Sequence, residues 1–140
     1  MAHGTRRHAR ESALQALYLM DLCKDDPDGI PRAAWSEKPL ELQAQEFARR
    51  LAHGVRVHET EIDAVIVRYT ENWALDRMAA IDRSVLRMAA YELLYDLETP
   101  VSVVINEAIE IAKKFSTAES SKFVNGILDK VKQERKSIKE

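Results

Sequence analysis

Residues 77–97 read RMAAIDRSVLRMAAYELLYDL, and this stretch decides the fold class. Ile81, Val85, Leu86, Ala89, Ala90, Leu93, Leu94 and Leu97 recur at spacings of three and four. That period gathers them on one broad face of a helix and on neither face of a strand. A face this wide marks a central helix packed on several sides, so its neighbours must supply matching apolar surfaces. After the interruption at Thr99 and Pro100, Val104, Ile105, Ala108, Ile109, Ala112 and Phe115 form a second stripe. It closes with Lys113 and Lys114, where cations suit the helix dipole. A last helix is predicted after Ser116, Thr117 and Ala118, with Val124, Ile127, Leu128 and Val131 as its buried line. From residue 130 onward Lys132, Arg135, Lys136 and Lys139 mix with Glu134, a pattern expected of a solvated helix end or a disordered tail.

The same period extends toward the N-terminus. Leu42, Phe47, Leu51, Val55, Ile62, Val65 and Ile66 predict one broken helix or two between Leu40 and about Tyr69, with a bend near Gly54 or Thr60. Residues 25–39, with three aspartates, three prolines and Gly29, read as a loop. Before it, Ala9, Ala13, Ala16, Leu17 and Met20 give an amphipathic helix from near Arg6 to about Lys24. Tyr18 and Leu22 fall almost opposite that stripe and form a second apolar strip.

Composition agrees. The chain has 140 residues, enough for one domain spanning 1–140 with flexible ends; 46% of residues are hydrophobic and 31% charged, as in an ordinary globular protein. Four glycines and four prolines without regular spacing count against a sandwich or barrel, so the expected class is all-α. Cys23 stands alone and permits no internal disulfide, and residues 1–24 hold no apolar run long enough for a signal peptide or a membrane span. A cytoplasmic protein with no membrane association is expected. The net charge of −2 argues against bulk coating of nucleic acid, yet the first ten residues carry Arg6, Arg7 and Arg10 and no acid.

The residue types needed for catalysis are not brought together. His53 and His58 are five apart, about 140° around a helix, which is wrong for a zinc-binding pair; no glycine-rich phosphate loop or dinucleotide fingerprint occurs. Neither an enzyme, a metal site nor a cofactor is expected. Binding chemistry is better represented. Arg6, Arg7, His8 and Arg10 make a focused positive field at the start of a helix, and its two readings carry equal weight: a phosphate site, or a solvated terminus with Arg7 paired to Glu11. Phe123 lies about 90° from the last buried line, beside Lys122 and not far in sequence from Lys113 and Lys114. It reads either as a stacking platform for an unpaired base or as a core aromatic. Gly126 reads as permitting close helix approach or access of a ligand to Asn125.

Four strings together resemble the NusB family of transcription antitermination factors: Arg6-Arg7-His8-Ala9-Arg10-Glu11, Ala13-Leu14-Gln15-Ala16-Leu17-Tyr18, Ile105-Asn106-Glu107-Ala108-Ile109-Glu110 and Lys122-Phe123-Val124-Asn125-Gly126-Ile127-Leu128. The resemblance implies two packed helical bundles with about six or seven helices and no catalysis. It also implies binding of single-stranded boxA RNA from nascent ribosomal transcripts, jointly with the ribosomal protein NusE and within the RNA polymerase antitermination complex. Carried over by position, it assigns RNA contact to the arginine block, Lys113, Lys122 and Phe123, beside which Asn125 joins the candidate surface. It assigns the protein partner to Tyr18, Leu22, Asp82, Arg83 and Leu86. His8 stands where many relatives carry another arginine, and Ser121 where some carry histidine, which predicts weaker or pH-dependent RNA binding. A second functional class is a homodimeric interaction module that masks its RNA surface. A third is a regulatory domain, since NusB-like domains also precede RNA cytosine methyltransferases.

Overall fold

The helical period is realised throughout the described residues. The computed structural model describes the backbone of residues 3–23, 42–70 and 75–139, with the side chains of residues 6–21, 42–70 and 75–135. Among the described residues there are six α-helices: α1 (His3–Cys23), α2 (Leu42–Val57), α3 (Glu59–Arg68), α4 (Ala80–Tyr95), α5 (Val101–Phe115) and α6 (Ala118–Lys139). A 3-10 turn, Leu75–Arg77, precedes α4. No strand occurs among the described residues, and no helix there is long and apolar enough to cross a membrane. The loop expected at residues 25–39 and the side chains of Leu22 and Cys23 lie outside the described residues.

The chain divides into two compact units, Met1–Val57 and His58–Glu140. In the first, α1 packs on α2. Ala9, Ala13, Ala16, Leu17 and Met20 of α1 are buried, as are Ala44, Phe47, Ala48, Leu51, Ala52 and Val55 of α2. Alanine on both stripes lets two helices approach closely, and Phe47 fills the seam with a large ring. The helix break falls at His58, between the two positions the sequence suggested. His58 stacks on Tyr95 with centroids 4.1 Å apart and lies 3.9 Å from Glu61, so its role is packing rather than metal ligation.

The second unit is built around α4. Val85, Leu86, Met88, Ala89, Ala90, Leu93 and Leu94 are buried, as its wide apolar face requires. Helices α3, α5 and α6 all pack on it. Pro100 opens α5 with extended dihedrals and a carbonyl that accepts from the amides of Val103 and Val104, each at 3.1 Å. Thr117 caps α6, its Oγ1 accepting from the Ser120 amide at 3.0 Å. Arg87, on α4, donates two bonds to the Asp63 carboxylate of α3 at 2.8 and 2.9 Å. This bidentate geometry fixes the spacing of the two helices.

The tail expected to be solvated is helical to Lys139, and Arg135 within it is only 4% exposed. Its guanidinium donates to four backbone carbonyls: Leu93 at 2.8 Å, Glu92 at 2.8 Å, Asp96 at 2.6 Å and Thr99 at 2.7 Å. These include carbonyls that the last turn of α4 cannot satisfy internally, together with the first loop residues after it. Burial lowers the Arg135 pKa, the carboxylates of Asp96 and Glu92 oppose that, and the group stays charged. At the other end, Ser120 Oγ donates to Asp82 Oδ2 at 2.9 Å. The start of α6 therefore meets the start of α4 and its end meets the end of α4: the two helices run parallel, with α5 returning between them. We expect Arg135→Met to lower stability by about 3 kcal/mol in urea unfolding, because the four hydrogen bonds of the guanidinium are lost and only the Glu92 carbonyl keeps another donor, the Asp96 amide. Arg135→Lys, which keeps the charge but not the planar fork, should fall between Met and wild type.

Candidate nucleic-acid interface

In the N-terminal unit the positive field is organised by one ring. Phe47 is 2% exposed, and the guanidinium carbons of Arg6, Arg10 and Arg50 lie 4.6, 5.2 and 5.6 Å from its centroid. Each pair is a cation–π contact worth about 0.5–2 kcal/mol. Arg6 and Arg7 are half-buried and His8 is exposed. Arg10 departs from the expectation that it offers its charge to solvent: it is 2% exposed and serves to seat α1 on Phe47. Arg50, from the adjacent Arg49-Arg50 pair on α2, enters the cluster in its place at the surface. Its only sequence signal was that pair of cations, which periodicity alone assigns to an ordinary exposed face.

In the C-terminal unit Phe123 is neither sealed in the core nor fully open; it is half-buried and forms a wall shared by two cavities. One, of about 310 Å³, is lined by Arg77, Met78, Asp82, Glu119, Ser120 and Phe123. The other, of about 290 Å³, runs past Tyr69, Lys122, Phe123, Gly126 and Lys130. Lys122 and Asn125 are exposed beside the ring. Lys113 is also exposed, with its Nζ 3.7 Å from Glu110, so part of its charge is already balanced. Tyr69 donates to Glu134 at 3.2 Å, and burial first and then the Glu134 carboxylate push its pKa up, keeping the hydroxyl neutral.

The expected partner-binding residues do not all stand at the surface. Leu86 is 0% exposed and belongs to the core of α4; the wide apolar face that predicted the fold also buries it. Arg83 is half-buried, with Nη1 donating to the carbonyls of Leu75 at 2.8 Å and Met78 at 3.2 Å, where it holds the 3-10 turn. Asp82 is 8% exposed; Oδ2 accepts from Ser120, whereas Oδ1 is buried without a hydrogen-bond partner. A buried carboxylate oxygen lacking a donor costs about 1–3 kcal/mol, and here it borders a cavity. Tyr18 is half-buried. Among the described residues no group of three His, Cys, Asp or Glu is arranged to hold a metal ion.

Gly126 is not where helices meet. A methyl group added to it would find nothing within 4 Å, so the expectation of close helix approach is overturned and access of a ligand remains.

Helices built on a buried alanine and leucine frame, with arginine and lysine–phenylalanine faces left outward, define a class: an all-helical protein that presents cationic faces. The sequence matches the NusB family over residues 7–133. The transcription antitermination protein NusB of Elusimicrobium minutum is 49% identical over 136 residues, covering 96% of this chain and 97% of that one. Among solved structures, T. maritima NusB superposes with a TM-score of 0.85 at 42% identity, covering 92% of this chain and 91% of the other. A structure of antitermination factors NusB and NusE in complex with double-stranded RNA gives a TM-score of 0.86 at 27% identity, covering 94% and 98%. This chain belongs to the NusB family of transcription antitermination factors.

Gly126 supplies a direct check on the exposed face. Glycine in a helix interior is about 0.5–1 kcal/mol less favourable than alanine, and no neighbour stands in the way of a methyl group. Gly126→Ala should therefore stabilise the isolated protein by up to about 1 kcal/mol in thermal or urea unfolding.

Proposed function

We propose that this protein binds the single-stranded boxA RNA of nascent ribosomal transcripts together with the ribosomal protein NusE, as part of the RNA polymerase antitermination complex in the cytoplasm. Each of the two units carries its own cationic surface for RNA. The observation that carries this reading is Phe123: a half-buried ring beside exposed Lys122 and Asn125, bordering a groove of about 290 Å³ of a size to accept a base. A fixed ring reduces the entropy lost on stacking, and adjacent lysine supplies the phosphate contact. Arg6, Arg7, His8 and Arg50 form the second grip, with Lys113 as an outlying cation; Arg10 supports the arm from beneath. The relative crystallised with NusE and double-stranded RNA supports the choice of partners.

NusE is assigned to Tyr18 and Leu22 in the N-terminal unit and to Asp82 in the C-terminal unit. The unpartnered Oδ1 of Asp82 there awaits a donor from outside the chain. Each ligand that orders this surface leaves less ordering for the other, so the two should bind with positive coupling.

Titration of a labelled boxA-type oligonucleotide, with scrambled and double-stranded controls and with and without NusE, tests the reading. Three or four phosphate contacts give an expected log-log salt slope of about −2 to −3. Phe123→Ala should cost about 1–3 kcal/mol of RNA binding with the circular dichroism spectrum unchanged, because the ring is only half-buried. Unchanged affinity and slope in the Arg6→Ala, Arg7→Ala double variant would remove the arm from the site. Asp82→Asn, which keeps the shape but not the charge, should weaken NusE binding about tenfold in calorimetry while leaving RNA binding alone unaltered.

A further inference from the structure

We propose that His58, Glu61, Tyr91 and Tyr95 of the C-terminal unit form a docking surface for a basic segment of a partner protein, with an arginine of that segment stacked on Tyr95 beside the Glu61 carboxylate. None of these residues has a part in the RNA or NusE contacts proposed above, so the inference stands apart from that reading. Arg87, Tyr91 and Tyr95 are spaced four apart on α4 and share one side of that helix, the side turned to the start of α3. Ring centroids lie 4.1 Å apart for His58 and Tyr95, 5.5 Å for Tyr91 and Tyr95, and 6.3 Å for His58 and Tyr91, with interplanar angles of 18°, 27° and 26°. A triangle of those sides has a near-right angle at Tyr95. His58 thus covers one face of the Tyr95 ring, and Tyr91 stands beside it in a similar plane. Even so, Tyr95 is 40% exposed, and Leu97, just past the end of α4, is 38% exposed. A ring held on one side and left wet on the other is a surface prepared for a contact from outside.

Charge selects the occupant. Helix α3 brings three carboxylates toward α4 within five residues: Glu59, Glu61 and Asp63. Arg87 takes two of them, with Nε 2.8 Å from Asp63 and Nη1 3.5 Å from Glu59. Glu61 is left exposed at the aromatic cluster, 3.9 Å from Nδ1 of His58. Burial first, and then the Glu61 carboxylate, push the Tyr95 pKa up, so that carboxylate lies within electrostatic reach of the phenol and the hydroxyl stays a neutral donor. An aromatic face with a carboxylate at its side attracts a cation and repels a phosphate. The surface therefore suits a basic protein segment and not a nucleic acid. Arginine fits it better than lysine, because a planar guanidinium lies flat on a ring while its outer N–H groups still reach a carboxylate.

The test titrates the full, isotope-labelled chain with an acetylated penta-arginine peptide and follows amide shifts by NMR, with penta-lysine and a single-stranded boxA-type oligonucleotide in parallel. Shifts caused by penta-arginine should centre on His58, Glu61, Tyr91 and Tyr95, and penta-lysine should bind about threefold more weakly. Tyr95→Leu, which keeps the bulk and removes the aromatic face, should weaken penta-arginine binding about twofold to fivefold, and Tyr95→Phe should restore it. Glu61→Gln should weaken it about threefold and flatten its salt dependence. All three variants should keep wild-type affinity for the oligonucleotide. Peptide shifts absent from these four residues or spread evenly over the surface would overturn the docking surface, as would wild-type peptide affinity in Tyr95→Leu and Glu61→Gln. It would also fall if the oligonucleotide moved the His58 and Tyr95 signals in the peptide's place, or if protein concentration alone moved them, since the occupant would then be a nucleic acid or a second copy. Loss of the boxA-type preference in wild type, with the peptide results as expected, would overturn the RNA reading and leave this surface standing.

Discussion

The guanidinium of Arg135 holds the C-terminal unit in register. Four carbonyls, from the last turn of α4 and the loop after it, converge on this one side chain; that of Glu92 also accepts from the Asp96 amide at 3.2 Å. Arginine is suited to the task because its fork presents several fixed donors at once and stays charged when desolvated. Because Arg135 continues the buried line of Val124, Ile127, Leu128 and Val131, anchoring it also sets the rotation of α6 about its axis. With Ser120 bound to Asp82 near the other end, the helix is pinned at two points and cannot roll.

That rotation places the interface. Once Val124, Leu128, Val131 and Arg135 face inward, Lys122, Gly126 and Lys130 face outward together, and Phe123 falls at the boundary where a ring is half in and half out. The same economy governs the N-terminal unit, where alanine stripes bring α1 and α2 close and Phe47 gathers three guanidinium groups around itself. In each unit, a side chain that carries charge into the packing is what positions the charges left at the surface.

Much of this was legible in the order of residues. The spacing of apolar positions located the helical segments among the described residues, left open whether α2 and α3 are one broken helix or two, and bracketed the break between them, because burial along a helix imposes a period. It also predicted that Phe123 sits off the buried line. It misjudged Arg135 and Arg10, which composition treats as solvent-seeking: whether a guanidinium is buried depends on how many unpaired carbonyls or ring faces await it, and those belong to other segments. Leu86 was assigned to a partner by the family resemblance, whereas its place on the wide apolar face of α4 puts it in the core.

The sequence by itself determined the all-helical class, the helix positions and the family, since each rests on local period or on short strings of neighbouring residues. Tertiary structure alone decided which cations stay in water, that Arg50 joins Arg6 over one ring, that Asp82 keeps an oxygen without a donor, and that Tyr69 and Lys130 share a groove. Those are matters of distance between residues remote along the chain, and a one-dimensional pattern carries no distances across space.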